Sequence, residues 1–326
     1  WWDTSSSASN PCLSDSGFDL SAHSSGLSIV SASASDVFRI YNCQQTDTGL
    51  MLLPHFNVQV DGVIIQSCFA EPLDKTVLES RFMFLSLQYS ESCRLELHLF
   101  SWSWSDSIVD SLEKSKLPLP NTFPIPIFII PLANNASFLF VSPNDLIIVT
   151  IHHITSAEYD FKSFSFGGSF PTSFYIPDTL QIDDEKTDNV LIATDDGIIY
   201  SVMITNNDKL SVSPVVRVAD PISVFTMEKL GKHYRLIFGS DTGSNRDLMV
   251  NELFDKEYLS TLEENQKVKY STALLISDYK NWTPILDILI IDSFKSRSMT
   301  NPSDKELWAL TGTGKRTRLT QLRKGY

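Results

Sequence analysis

Apolar and polar residues alternate along most of this chain in short bursts, and the bursts come in pairs. The pairs are "LSIVSASASDVFRIYNC" (27–43), "RFMFLSLQYSESCRLELHLF" (81–100), "SFLFVSPNDLIIVTI" (137–151), "VLIATDDGIIYSVMI" (190–204), "YRLIFGSDTGSNRDLMVNEL" (234–253) and "ELWALTGTGKRTRLTQL" (306–322). Period-two alternation beside turns of Gly, Asp, Asn and Ser predicts β-hairpins. Their first strands are expected to begin near 28, 81, 139, 191, 236 and 307. Weaker strand candidates lie between them: "GLMLLPHFNVQVDGVIIQSCFA" (49–70), "KLSVSPVVRVADPISVFTMEKL" (209–230) and "WTPILDILIIDSF" (282–294). One hairpin with one or two accessory strands in each interval of roughly 45 to 70 residues is the pattern of four-stranded blades. The chain therefore reads as all-β, a β-propeller of about seven four-stranded antiparallel blades. A βαβ fold would need amphipathic helices between the strands, and only "SDSIVDSLEKSK" (105–116) and "NELFDKEYLSTLEENQKV" (251–268) are fair helical candidates. Two helices are too few.

Composition narrows the function. With 26 basic against 39 acidic residues, net charge −13 and pI near 4.8, the surface is unsuited to holding nucleic acid chiefly by phosphate neutralisation. The most apolar region, 123–151, is interrupted by Pro124, Pro126, Pro131 and Pro143 before any run reaches the roughly 18 residues of a membrane span. Residues 1–26 are rich in Ser and read as a leading segment, either loosely ordered or crossing another part of the protein; the packed fold is expected from 27 onward. The chain starts at Trp1 without an initiator Met, as a piece of a longer protein would. Cys12, Cys43, Cys68 and Cys93 contain no CxxC pair and are expected to be reduced, mostly buried thiols of an intracellular protein. The sequons at Asn135 and Asn281 are read as chance.

The candidates for chemistry give little. In "TGTGKRTRLTQLRKGY" (311–326), Gly314-Lys315 is followed by Arg316, so the phosphate-binding loop G-x-x-x-x-G-K-[ST] fails, and Thr317 breaks G-x-G-x-x-G. A hairpin with basic residues near its turn remains. The histidines are His23, His55, His98, His152, His153 and His233, without HxH or HExxH spacing. His152-His153 follows a strand, which would turn one ring in and the other out. "DDEKTD" (183–188) and "TDDG" (194–197) lack the EF-hand order and read as solvated turns. Trp102 and Trp104 alternate on one strand face, as residues packing a blade do. No catalytic, cofactor or metal residues are assigned, and the chain is read as a non-enzyme.

Four segments, in order, resemble the end of the first propeller in the family of large multi-propeller scaffolds. That family includes the large subunit of the UV-damaged-DNA-binding complex, the largest subunit of the cleavage and polyadenylation specificity factor, the propeller subunit of the U2 splicing complex, and divergent fungal adaptors. "NVLIATDDGIIYSVMI" (189–204) and "ISVFTMEKLGKHYRLIFGSDTGSNRDLMVNEL" (222–253) are similar to two successive blades. "NWTPILDILIIDS" (281–293) is similar to the Gly-Pro-Ile-x-Asp strand, with Pro284, Ile285 and Asp287 in place and Thr283 standing for Gly. "ELWALTGTGKRTRLTQLRKGY" (306–326) is similar to the exit from that propeller, with Gly314, Leu319, Leu322, Arg323 and Gly325 in place. The basic "KRTR", where relatives carry small residues, makes the chain most like the divergent fungal adaptors, the alkylation-sensitivity repair adaptor or the heterochromatin-ligase adaptor.

The resemblance implies that 27–326 is the first propeller of a larger scaffold, ending where the chain passes to the next. The early region is short for a full ring, so strands from elsewhere in the full chain are expected to complete a blade. It further implies a nuclear, non-catalytic adaptor whose partners are cullin-RING ubiquitin ligase subunits, substrate receptors in DNA repair or chromatin silencing, and the remaining propellers of the same chain. Nucleic acid would be touched indirectly at most, and membrane not at all. A scaffold in pre-mRNA splicing or 3′-end processing is the second expectation, and a propeller hydrolase the third.

Overall fold

The computed structural model describes residues 17–23, 28–33, 37–46, 49–52, 56–60, 62–70, 81–90, 92–103, 112–133, 137–177, 187–205, 209–218, 220–230, 233–241, 245–250, 273–279, 285–292, 305–311 and 318–322. Among them the chain is all-β: its strands form antiparallel sheets that follow one another in chain order. It divides into two units, one of residues 1–167 with 185–188 and 205–209, the other of 168–184, 189–204 and 210–326.

The first unit holds three sheets. In the first, β1 (Gly17–Ala22), β2 (Ser28–Ser33) and β3 (Val37–Thr46) lie side by side, and the far edge of β3 is shared by β4 (Gly49–Leu52) and β5 (Phe56–Gln59). The second runs β6 (Gly62–Phe69), β7 (Arg81–Ser90), β8 (Leu95–Ser103), β9 (Glu113–Pro118). The third runs β10 (Phe128–Leu132), β11 (Ser137–Val141), β12 (Asp145–Thr150), β13 (Lys162–Ser165), with a helical turn α1 (Ile151–Ser156) before its last strand. In the second unit the fourth sheet is β14 (Pro171–Tyr175), β15 (Thr187–Thr194), β16 (Ile198–Thr205), β17 (Leu210–Arg217). The fifth is β18 (Val224–Leu230), β19 (His233–Gly239), β20 (Asn245–Val250), β21 (Ala273–Tyr279). The sixth has three described strands, β22 (Ile285–Asp292), β23 (Lys305–Thr311) and β24 (Arg318–Leu322).

Each of the six expected hairpins is the second and third strand of one sheet, starting at Ser28, Arg81, Ser137, Thr187, His233 and Lys305. The candidate helix at 105–116 is corrected: Glu113–Pro118 is β9, laddered to β8 from Glu96↔Pro118 to Ser101↔Glu113, with Leu117 buried. A full edge of ladder bonds plus a core position outweighs the modest helix propensity of Glu, Lys and Leu. Residues 105–111 and the second candidate, 251–268, lie outside the described residues, as do residues 1–16. Within the Ser-rich segment, Gly17–Ala22 is the edge strand of the first sheet.

The core of the first unit is layered. Phe38, Ile40, Val58 and Val60 of the first sheet and its flanks meet Ile64, Phe69, Phe82, Phe84, Phe100 and Trp102 of the second. On its other face the second sheet sets Leu85, Leu87, Leu97, Leu99 and Leu117 against Ile129, Phe138, Phe140, Ile147 and Val149 of the third. The second unit repeats the device between the fourth and fifth sheets, where Leu191, Ile199 and Val216 meet Phe225, Leu236, Phe238 and Val250.

The outer strands of four sheets each carry a feature that discourages further strand pairing. β9 has Lys114, Lys116 and Pro118. β13 is only four residues long and starts with Lys162. β17 has Pro214 beside a bulge, and β21 has a bulge opposite the Asp247/Leu248 step.

Two glycines are required by backbone crowding. Gly62 opens β6 at φ +140, and a Cβ there would lie 2.2 Å from the Tyr89 carbonyl oxygen. Gly197, at φ +80 in the β15–β16 turn, would put a Cβ 2.5 Å from the Val218 oxygen. The turn itself is closed by Thr194 Oγ1, which lies 2.6 Å from Asp196 Oδ1 and donates to Ile198 O at 2.9 Å, while Asp195 and Asp196 face solvent. It is the solvated turn expected from "TDDG".

Candidate functional site

Among the described residues no group of three or more His, Cys, Asp or Glu side chains could hold a metal ion, and no helix is long and apolar enough to cross a membrane. The basic turn 312–317 and the tail 323–326 lie outside the described residues; the strands that flank the turn, β23 and β24, are paired as a hairpin from Leu307↔Leu322 to Thr311↔Arg318.

His152 and His153 do not alternate as strand residues would, because β12 ends at Thr150 and the chain coils into α1. Thr150 is the N-cap: its Oγ1 accepts from His153 N at 3.2 Å, and its own N–H donates to His153 Nδ1 at 3.1 Å, a capping box with His at the third position. His153 then stands edge-on to Phe161 with ring centroids 5.3 Å apart. This pair terminates a strand and holds no third ligand.

Among the described cysteines only Cys43 is fully buried, and burial pushes its thiol pKa up. Cys68 is half-buried, and Cys93 is exposed with φ 58 at the tip of the β7–β8 hairpin, which corrects the expectation of mostly buried thiols. A turn between strands puts its central residues in solvent whatever their polarity.

Trp102 is packed as expected. It is fully buried, with ring centroids 5.8 Å from Phe69 and 5.9 Å from Phe82. Trp104 lies outside the described residues. The indole N–H of Trp102 is buried without a hydrogen-bond partner among the described residues. An unmatched buried donor costs about 1–3 kcal/mol, so Trp102→Phe should stay within about 1 kcal/mol of the parent in a urea melt, since relief of that donor offsets the lost ring area. Trp102→Ala should lose about 3–5 kcal/mol.

The densest buried polar chemistry is one that alternation alone does not single out. In "LELHLF", Glu96 and His98 occupy one face of β8, opposite Gln88 and Ser86 of β7, and His98 is also opposite Lys116 of β9. Ser86, Gln88, Glu96 and His98 are all buried; Lys116 is half-exposed. His98 Nε2 lies 3.1 Å and Lys116 Nζ 2.7 Å from the same oxygen, Glu96 Oε2. Burial raises the Glu96 pKa, but the hydrogen bonds and charges of Lys116 and His98 outweigh it, so the carboxyl is held below its ordinary value. Burial also drives His98 below its ordinary value, with Lys114 and Lys116 adding to that and Glu96 opposing it. The ring is therefore neutral at pH 7, and Nε2–H donates to a carboxylate.

A second polar pair sits on the fifth sheet. Arg235 donates from Nε and Nη2 to the two oxygens of buried Asp247 at 3.1 and 2.7 Å, which holds that carboxyl below the usual range. It fixes adjacent strands across the pair β19–β20. Neither array brings a nucleophile to a base, and both lock carboxylates into ion pairs rather than leaving one poised for proton transfer.

No family model matches this chain, and no curated protein matches it.

Proposed function

We propose that the chain is a β-propeller that serves as a non-catalytic platform for protein–protein interaction. The observation that carries this reading is the repeat of one unit: antiparallel strands linked in simple succession, with a hairpin as the second and third strands of each sheet and face-to-face packing among the first three sheets and between the fourth and fifth. The four segments that resemble the multi-propeller scaffolds support it further, since they coincide with β15–β16, β18–β20, β22 and β23–β24. Such a frame keeps its strands fixed while the loops at sheet ends vary, so binding surfaces diverge without disturbing the core.

By that resemblance the partners are cullin-RING ligase subunits and substrate receptors in nuclear DNA repair or chromatin silencing. Affinity purification of the full-length protein followed by mass spectrometry tests this. Stoichiometric cullin and RING subunits are the expected result. Recovery of the U2 particle or the cleavage complex would replace the ligase with an RNA-processing assembly, and a hydrolase activity that tracks with the purified chain would overturn the non-catalytic reading.

A further inference from the structure

The face of the second sheet that meets the first changes character along β7 and β8. At one end Phe82, Phe84, Phe100 and Trp102 fill it; at the other stand Ser86, Gln88, Glu96 and His98. His98 Nε2 is committed to Glu96, and Gln88 Nε2 donates to Ser86 Oγ at 3.1 Å. That leaves His98 Nδ1 and Gln88 Oε1 buried with no hydrogen-bond partner among the described residues. A second proton on the imidazole has only Nδ1 to occupy. There it would create a buried cation whose new N–H has no acceptor in place, a combination costly in a low-dielectric interior.

We propose that the Ser86–Gln88–Glu96–His98–Lys116 array is a proton-operated latch between the first two sheets, shut while His98 is neutral and released when its ring takes up a second proton.

The charged neighbours favour release. β9 presents Lys114 and Lys116, with Lys114 Nζ 5.5 Å from the Phe100 ring centre. β8 itself supplies Glu96, which would welcome an imidazolium, but the oxygen facing His98 already receives Lys116. β7 offers only Ser86 and Gln88. From the first sheet, among the side chains described, alternation turns Phe38, Ile40 and Asn42 of β3 and Val58 of β5 to this side, and none of these is ionisable. His23 packs at the far, aromatic end against Phe69 and Phe82. The depressed His98 pKa agrees with this inventory. With the ring neutral when packed and ordinary, near 6.5, when opened, the opened form binds the extra proton as pH falls below that value. Acid therefore favours opening.

Hydrogen exchange of the 326-residue chain at pH 7.5 and 5.5, corrected for intrinsic rates, tests the latch. Amides of 37–46 and 81–103 should open about tenfold more at pH 5.5, the ratio set by an open-state pKa near 6.5, while 137–150 of the third sheet should change less than twofold. His98→Gln, which retains an N–H for Glu96 but cannot titrate, should abolish the difference. An equal rise in 137–150, or the same tenfold rise in the variant, would overturn the proposal. Should the variant not fold, the imidazole Cε1 proton of His98 in the parent chain gives the answer by NMR: its midpoint should fall below 6.5, and one at or above 6.5 refutes the latch.

Discussion

Phe84→Ala is expected to destabilise the first unit by about 3–5 kcal/mol, the range for removing a fully buried aromatic ring. Phe84 is inaccessible to solvent and sits opposite Phe100 on β8. Its ring centre is 5.4 Å from Phe38 of the first sheet and 5.2 Å from Phe69 of its own. Edge-to-face and tilted pairs at these distances each add about 0.5–1.5 kcal/mol beyond area burial, so alanine removes these two ring contacts and a third, 6.5 Å from Trp102, and leaves a cavity that β-sheet backbones, held by ladder bonds on both sides, close poorly. A urea melt should show a lower midpoint. Phe84→Leu should recover a large part of the loss, because it keeps volume though not ring geometry. A loss under about 1 kcal/mol for alanine would mean that the two sheets do not meet where Phe38 and Phe84 place them.

Gly62→Ala should be nearly as damaging despite adding only a methyl group. A Cβ at that position would fall 2.2 Å from Tyr89 O and 2.9 Å from Ser90 Cα, both backbone atoms of β7 that cannot rotate aside. The φ of +140 is itself strained for any L side chain. Strain of this kind costs about 1–3 kcal/mol, and the clash must in addition be relieved by pulling β6 from β7 near their first paired residues, Gly62↔Ser90. The expected signature is a lowered melting midpoint with accelerated amide exchange in 62–69 and 81–90. Parent-like exchange there would show that the strand opens differently.

The central hairpins were legible because two alternating runs stand close together with turns such as Asn144-Asp145 and Asp196-Gly197 between them. The weaker candidates at 49–70, 209–230 and 282–294 hold β4 to β6, β17, β18 and β22, and the outer strands that escaped were β1, β9, β13, β14 and β21. Glu113–Pro118 carries one buried apolar residue and two lysines, so neither composition nor period marks it as a strand; its identity comes from the edge of β8 that it completes. Gly17–Ala22 is hidden by the Ser-rich segment in which it lies. The Glu96–His98 array was hidden for a different reason. Alternation in "RLELHLF" separates apolar from polar residues, and a polar row on a strand usually marks the side facing water. Here both faces of the second sheet are covered: the leucines pack on the third sheet, and the polar row is buried on the face whose aromatic end meets the first. The pattern gives the period of the strand; how many neighbours a sheet has is a property of tertiary packing.

The guarded rims of β9, β13, β17 and β21 also bear on assembly. An incoming strand laid along β9 would have to strip water from two ammonium groups and meet a residue with no amide hydrogen at Pro118. Growth into extended ribbons is thus checked along those four rims, which leaves side chains and connecting loops as the means of association there.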